Sequence, residues 1–151
     1  MKPAWMEVAL AELGVHELAG PLQNNPRIIE YGTAVTLKPK TDEIPWCSDF
    51  VNWCLMKCGL KRTASAAADS WDTYGTKLEV PVYGCITRIR QKHKSTDSST
   101  GSFSGNHVAL FDRIENGYLY LLGGNQSDSV KISGFNLQSY EVVRYCWPEG
   151  D

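Results

Sequence analysis

Among the side chains here that could break a covalent bond without a cofactor are five cysteines, at 47, 54, 58, 85 and 146, and three histidines, at 16, 93 and 107. A thiol attacks as its thiolate, so either its ordinary pKa of about 8.5 must fall or a neighbouring base must take the proton. The first turn of a helix favours an anion through its unsatisfied backbone N–H groups and the positive end of its dipole. Cys47 alone among the five has a predicted position of this kind. It follows Pro45-Trp46, and residues 46–58 have a helical pattern closed by Gly59. At about 100° per residue, Cys47, Cys54 and Cys58 fall within about 40° of one another beside Val51, on the stripe expected to face the core. Cys54 and Cys58, well inside that helix, are read as inert packing residues, and Cys85 and Cys146 belong to strands. The chain has no CxxC pair and no histidine close in sequence to Cys54 and Cys58, so no metal site is expected.

The base must be held rigidly. His93 falls in a Lys- and Ser-rich loop and His16 in an early loop, both poor platforms. His107 follows Gly105-Asn106 and opens the apolar run Val108-Ala109-Leu110-Phe111, which predicts the start of a core strand. A third polar group should orient the imidazole, as an amide does in Cys-His-Asn sites. Asn116-Gly117 is a tight hairpin signal, and antiparallel pairing across it brings Gly124 or Asn125 back beside His107. The expected catalytic set is therefore Cys47, His107 and Asn125, with Gln126 and Asp128 as the other groups that could orient the ring.

The carboxylates near these residues, Glu17, Asp42, Glu43 and Asp49, show no spacing that a two-carboxylate glycosidase would require. Asp49 is read as a first-turn complement to the helix dipole. The tryptophans are assigned to the core.

The elements that must position these groups read as follows. A helix is expected over residues 3–13, a second from Pro26 to Gly32, the cysteine helix over 46–58 and an Ala-rich helix over 64–74. After Pro81 the pattern becomes extended, with strands at 82–90, 107–114, 118–122, 129–132 and 141–146 and a long hairpin loop over 91–105. Helices first and an antiparallel sheet afterwards make an α+β fold. The 151 residues, 42% hydrophobic and 21% charged, suit a single domain over 1–151. A net charge of −2 gives no bias towards nucleic acid or an anionic membrane. No window has the length of a membrane span, and Glu7 and Glu12 interrupt the apolar run that a secretory leader needs. Synthesis in the cytoplasm is expected, with any action outside depending on separate delivery.

Three blocks, Pro45-Trp46-Cys47-Ser48-Asp49-Phe50-Val51, Gly105-Asn106-His107-Val108-Ala109 and Gly123-Gly124-Asn125-Gln126-Ser127, resemble the Cys, His and Asn blocks of CHAP domains. Those domains belong with the NlpC-type cell-wall peptidases to a papain-like superfamily. Asn25-Pro26-Arg27-Ile28 and Ala68-Asp69-Ser70-Trp71 extend the likeness, closest to small CHAP-like proteins of phage-derived regions, over nearly the whole chain. The resemblance implies a papain-like fold, N-terminal helices on a C-terminal sheet. It implies a peptidoglycan hydrolase, an amidase or endopeptidase working through a Cys-His-Asn triad and a thioester, with no cofactor. It further implies a monomer that meets peptidoglycan at the cell wall or periplasm after release through a holin or export by a secretion system, with an immunity or inhibitor protein as a cognate partner. Two positions depart from the pattern. Trp46 stands where many CHAP domains have Gln, and Gly123 where many have an acidic residue. The alternatives are an intracellular amidase or deamidase using the same triad, and an inactive module that binds peptidoglycan or a partner.

Overall fold

The computed structural model describes residues 2–18, 25–36, 46–92 and 105–149. Three helices come first: α1 (Ala4–Leu10), α2 (Pro26–Tyr31) and α3 (Cys47–Lys57). Six strands follow: β1 (Thr76–Leu78), β2 (Ile86–Gln91), β3 (Asn106–Glu115), β4 (Tyr118–Gln126), β5 (Ser129–Asn136) and β6 (Tyr140–Trp147). They form one sheet in the order β1-β6-β2-β3-β4-β5, and each neighbouring pair is antiparallel. The architecture is α+β.

Local chemistry accounts for the helix boundaries. Asn25 caps α2 by accepting from the Arg27 N–H, and Pro26 takes the first helical position, where no N–H is needed. Gly59 ends α3 at φ 69°, and the Leu60 N–H closes back on the Leu55 carbonyl. The first helix ends at Leu10, short of the expected Leu13, and continues as turns to Gly14, whose φ of 97° redirects the chain. Residues 14–17 then run along β5. Gly14 donates to Val130, Val130 to Val15, and Glu17 to Asp128, with a bridge between His16 and Ser129. This covers the start of the edge that β5 would otherwise leave open.

Two expectations need correction. Residues 64–74 are not a helix: Ala64 sits at φ 55°, and the only helical piece is the 3₁₀ turn Ala68–Thr73. Serine side chains of this segment take up the backbone, Ser65 Oγ accepting from Ala67 N–H and Ser70 Oγ donating to the Ala67 carbonyl. Local bonds of this kind outweigh alanine's helical propensity. The strand expected over 82–90 begins only at Ile86, because Gly84 (φ 85°) and Cys85 form a turn first. Strand β1 lacked any sequence signal; three residues pairing only with β6 are too short to show a period. Most of the loop expected over 91–105, with His93, lies outside the described residues, as do Asp42 and Glu43.

Two apolar clusters lie on opposite faces of the sheet. Val108, Leu110 and Leu122 meet Phe50, Val51, Cys54 and Leu55 of α3 together with Trp5, Met6, Ile28 and Tyr31. Ala109, Phe111, Leu119 and Leu121 instead meet Ile89, Phe135 and Tyr140. The alternation along β3 follows from the period of two in a strand. Helix α3 is buried without a break from Cys47 to Leu55 rather than along one stripe, since the sheet, α1 and α2 enclose it.

Candidate active site

Cys47 occupies the first helical position of α3 and is 5% exposed. The backbone N–H groups of Val108, Ser48 and Cys47 itself lie near enough to the sulfur to favour its thiolate. Sheet geometry explains why Val108 is available. The Phe111 N–H donates to the Cys85 carbonyl, so the odd-numbered N–H groups of this part of β3 point towards β2. The N–H of Val108 therefore points to the β4 side, and the pairing of β3 with β4 stops at Leu110↔Leu122.

His107 precedes Val108, so thiol and imidazole border the same peptide. The ring is fully buried and packs against Phe135, with centroids 5.6 Å apart. Its Nε2 lies 2.9 Å from Gln126 Oε1. The amide of Gln126 is fixed by two further bonds, from Nε2 to the Leu121 carbonyl at 3.0 Å and to the Lys131 carbonyl at 2.8 Å. Both amide protons are thus used on carbonyls, and what faces His107 is an oxygen, which can only accept. His107 Nε2 must carry the hydrogen. In the neutral ring the lone pair then belongs to Nδ1, and Nδ1 is the nitrogen that can act as a base.

Hairpin arithmetic placed Gly124 or Asn125 beside His107. In the structure the ring bonds to Gln126, one of the alternatives. The cause is an irregularity in β4, whose register against β5 shifts between Gly123 and Gln126. Asn125 sits in the shift at φ 59° and is 3% exposed. Asp128, also at positive φ (63°), follows in the turn to β5.

The glycines in this block are needed for contact rather than for a turn. A Cβ on Gly123 would come 2.5 Å from Gln126 Oε1 and 2.7 Å from the Ala109 Cβ. On Gly124 it would come 2.6 Å from the Phe50 Cβ and 2.7 Å from the Trp46 ring. Gly123 makes room for the amide that holds the histidine, and Gly124 lets the start of α3 lie on the sheet. Trp46 is 1% exposed and donates its Nε1–H to Glu17 Oε2 at 2.9 Å. Its one side-chain donor is committed there, which leaves backbone N–H groups as the donors that could meet an anion at the start of α3.

A buried polar network ties the other side of this helix to residues 61–74. Ser48 Oγ donates to the Ser65 carbonyl at 2.6 Å and accepts from Trp71 Nε1 at 2.9 Å. Asn52 donates to the carbonyls of Ser48 and Ser65 and accepts from the Ala64 N–H. Opposite Val108 in β2, Arg88 pairs with Asp72 at 3.2 Å and donates to Asn106 Oδ1 at 3.0 Å.

The ionisation of Cys47 departs from the helix-dipole expectation. Burial pushes the thiol up to about 11, the Asp49 carboxylate adds to the rise, and the surrounding N–H groups only partly oppose it. The resting group is a thiol rather than a thiolate, so its attack needs a base to take the proton. Burial also raises the thiols of Cys54, Cys85 and Cys146. All five cysteines are free thiols.

Among the described residues no three His, Cys, Asp or Glu side chains gather as metal ligands, and no helix is long and apolar enough to cross a membrane. Comparison with family models, with curated proteins and with solved structures finds no match to this chain.

Proposed function

We propose that this chain is a papain-like cysteine hydrolase that cleaves an amide bond of peptidoglycan, in the stem peptide or at its link to muramic acid. The observation that carries this reading is the meeting of three elements at one peptide. The Val108 N–H lies near the Cys47 sulfur, and His107, next to Val108 in β3, has its Nε2 fixed by Gln126. The resemblance of the Cys47, His107 and Asn125 blocks to CHAP and NlpC-type domains supplies the substrate class.

The steps follow from these groups. His107 Nδ1 takes the Cys47 proton as the sulfur attacks the amide carbonyl. Gln126 Oε1 holds Nε2–H, so the imidazolium forms without turning the ring. The tetrahedral oxyanion is met by N–H groups at the start of α3, and the amine leaves with the proton from His107. Water, deprotonated by His107, then opens the thioester, releasing the acid and restoring the thiol. Asn125, beside Gln126, stands where the resemblance puts the amide of the triad. Delivery to the wall by a holin or a secretion system, and an immunity or inhibitor protein as partner, complete this reading.

Purified sacculi digested with the wild type and with Cys47→Ala, followed by mass spectrometry of the released muropeptides, test it. New free amino groups from the wild type and none from the variant support the proposal and identify the bond. Equal release by both removes it.

A further inference from the structure

Asp49 is the one acid of α3 that its surroundings do not explain. It lies in the first turn, two residues from Cys47, yet it is 1% exposed, and its Oδ1 has no hydrogen-bond partner. None of the ion pairs among the described residues includes it. A carboxyl group that merely complements a helix dipole needs no burial, and a cap would bond N–H groups of the first turn. Leaving a buried oxygen unpaired costs free energy that packing does not return, which is the usual mark of a group kept for its chemistry.

We propose that Asp49 is a positioning residue for the nucleophile: its buried carboxyl group, in the same helical turn as Cys47, governs how readily the thiol gives up its proton. The hydrolase then works with Asp49 protonated and is held back once Asp49 is ionised. The inference rests on Cys47 being the nucleophile of the proposed function.

The electrostatics agree with the geometry. Burial pushes the Asp49 carboxyl up to about 7, opposed only by its own backbone N–H, so it changes charge near neutrality. Once charged, it raises the Cys47 thiol. The other ionisable groups on the elements around α3 are engaged elsewhere. On the α1 side Glu12 takes the Tyr31 hydroxyl and Arg27, and Glu17 holds Trp46. On α2 Glu30 binds Arg27 and Trp53, and in the sheet Arg88 holds Asp72 while His107 holds Gln126. The opposing negative charge is therefore Asp49's own, in a setting where burial leaves little water to screen it.

The test measures alkylation of Cys47 by iodoacetamide from pH 5 to 10 in the full chain, read on the Cys47 peptide by mass spectrometry because four other thiols are present. In Asp49→Asn the profile should move to lower pH, with alkylation at pH 8 faster by roughly three- to tenfold. The alkaline fall in kcat above pH ~7 should disappear, with KM unchanged. An unchanged alkylation profile in a folded Asp49→Asn overturns the inference. Should that variant not fold, carbon-13 NMR of the wild-type carboxyl decides: titration near 7 supports the proposal, and titration in the ordinary range near 4 overturns it. Alkylation needs no substrate. A shifted profile without wall cleavage would keep the coupling and discard the peptidoglycan reading.

Discussion

Gln126 presents only an oxygen to His107, because the carbonyls of Leu121 and Lys131 take both of its amide protons. One amide thus selects the tautomer of the ring. Gln126→Ala is expected to leave a folded protein whose neutral imidazole populates both tautomers, with kcat lower by on the order of 10²-fold. Nitrogen-15 shifts of the His107 ring, beside muropeptide release, check this. A ring still protonated on Nε2 in the variant would show that something else fixes it.

Gly123 tests the same support from behind. Gly123→Ala should push the Gln126 oxygen away, since the new carbon would come within 2.5 Å of it. Turnover should fall nearly as far as in Gln126→Ala, with a loss of stability of about 1–3 kcal/mol from overpacking against Ala109. Gly124→Ala should be the more destabilising of the two, because its neighbours are the Phe50 Cβ and the Trp46 ring at the start of α3. Thermal unfolding of both variants gives the order, and a more stable Gly124→Ala would contradict it.

Asn125→Gly separates the amide from the backbone it sits on, since glycine accepts the φ of 59° at no cost. With Gln126 on the ring, we expect activity to drop by less than about fivefold, well short of the loss expected for Gln126→Ala. An equal drop in both would give Asn125 the orienting role that hairpin arithmetic assigned it.

Asp49 has a consequence for stability that needs no substrate. Its folded pKa, about 7, lies above the ordinary 3.8, so the folded chain holds the proton more tightly than the unfolded one. Folding carries no penalty from this group below pH ~4, loses stability as pH rises from there to ~7, and bears the full cost above, at most about 4 kcal/mol. Asp49→Asn should therefore raise Tm at pH 8 and change it little at pH 4. A gain of equal size at both values would mean that charge is not the cause.

Ser48→Ala removes the acceptor of Trp71 Nε1 and the donor to the Ser65 carbonyl. Trp71 is fully buried and loses its acceptor, while the half-buried Ser65 carbonyl keeps Asn52, and a loss of about 1–3 kcal/mol is expected in denaturant unfolding. A change below 0.5 kcal/mol, on the same principle, would show that water replaces the hydroxyl.

Much of this arrangement was legible in the residues. The apolar and turn signals around Cys47 and Gly59 gave α3 almost to the residue, and Asn116-Gly117, both at positive φ, gave the hairpin that returns β4 to β3. What was not legible depended on three-dimensional crowding. The irregularity after Gly123 lies in how β4 pairs with β5, and a count along one strand cannot contain it. Ser65 and Ser70 took residues 64–74 out of the helical state through bonds to the Ala67 backbone, against a composition that favours helix. The charge state of Cys47 was read from its place on a helix, but burial dominates it, and burial depends on Val108 and on elements far away in the chain.

The Val108 N–H, just past the point where the pairing of β3 with β4 ends, lies near the Cys47 sulfur. Any modification of that atom is felt by the sheet as well as by the reaction. An acyl group on sulfur brings a carbonyl that can accept from the Val108 N–H in the thiol's stead. A bulky alkyl group brings none and leaves a donor stranded. Electrophiles that carry their own acceptor should therefore leave the Val108 N–H satisfied once they sit on the sulfur, and purely hydrocarbon ones should loosen the end of the strand that holds His107.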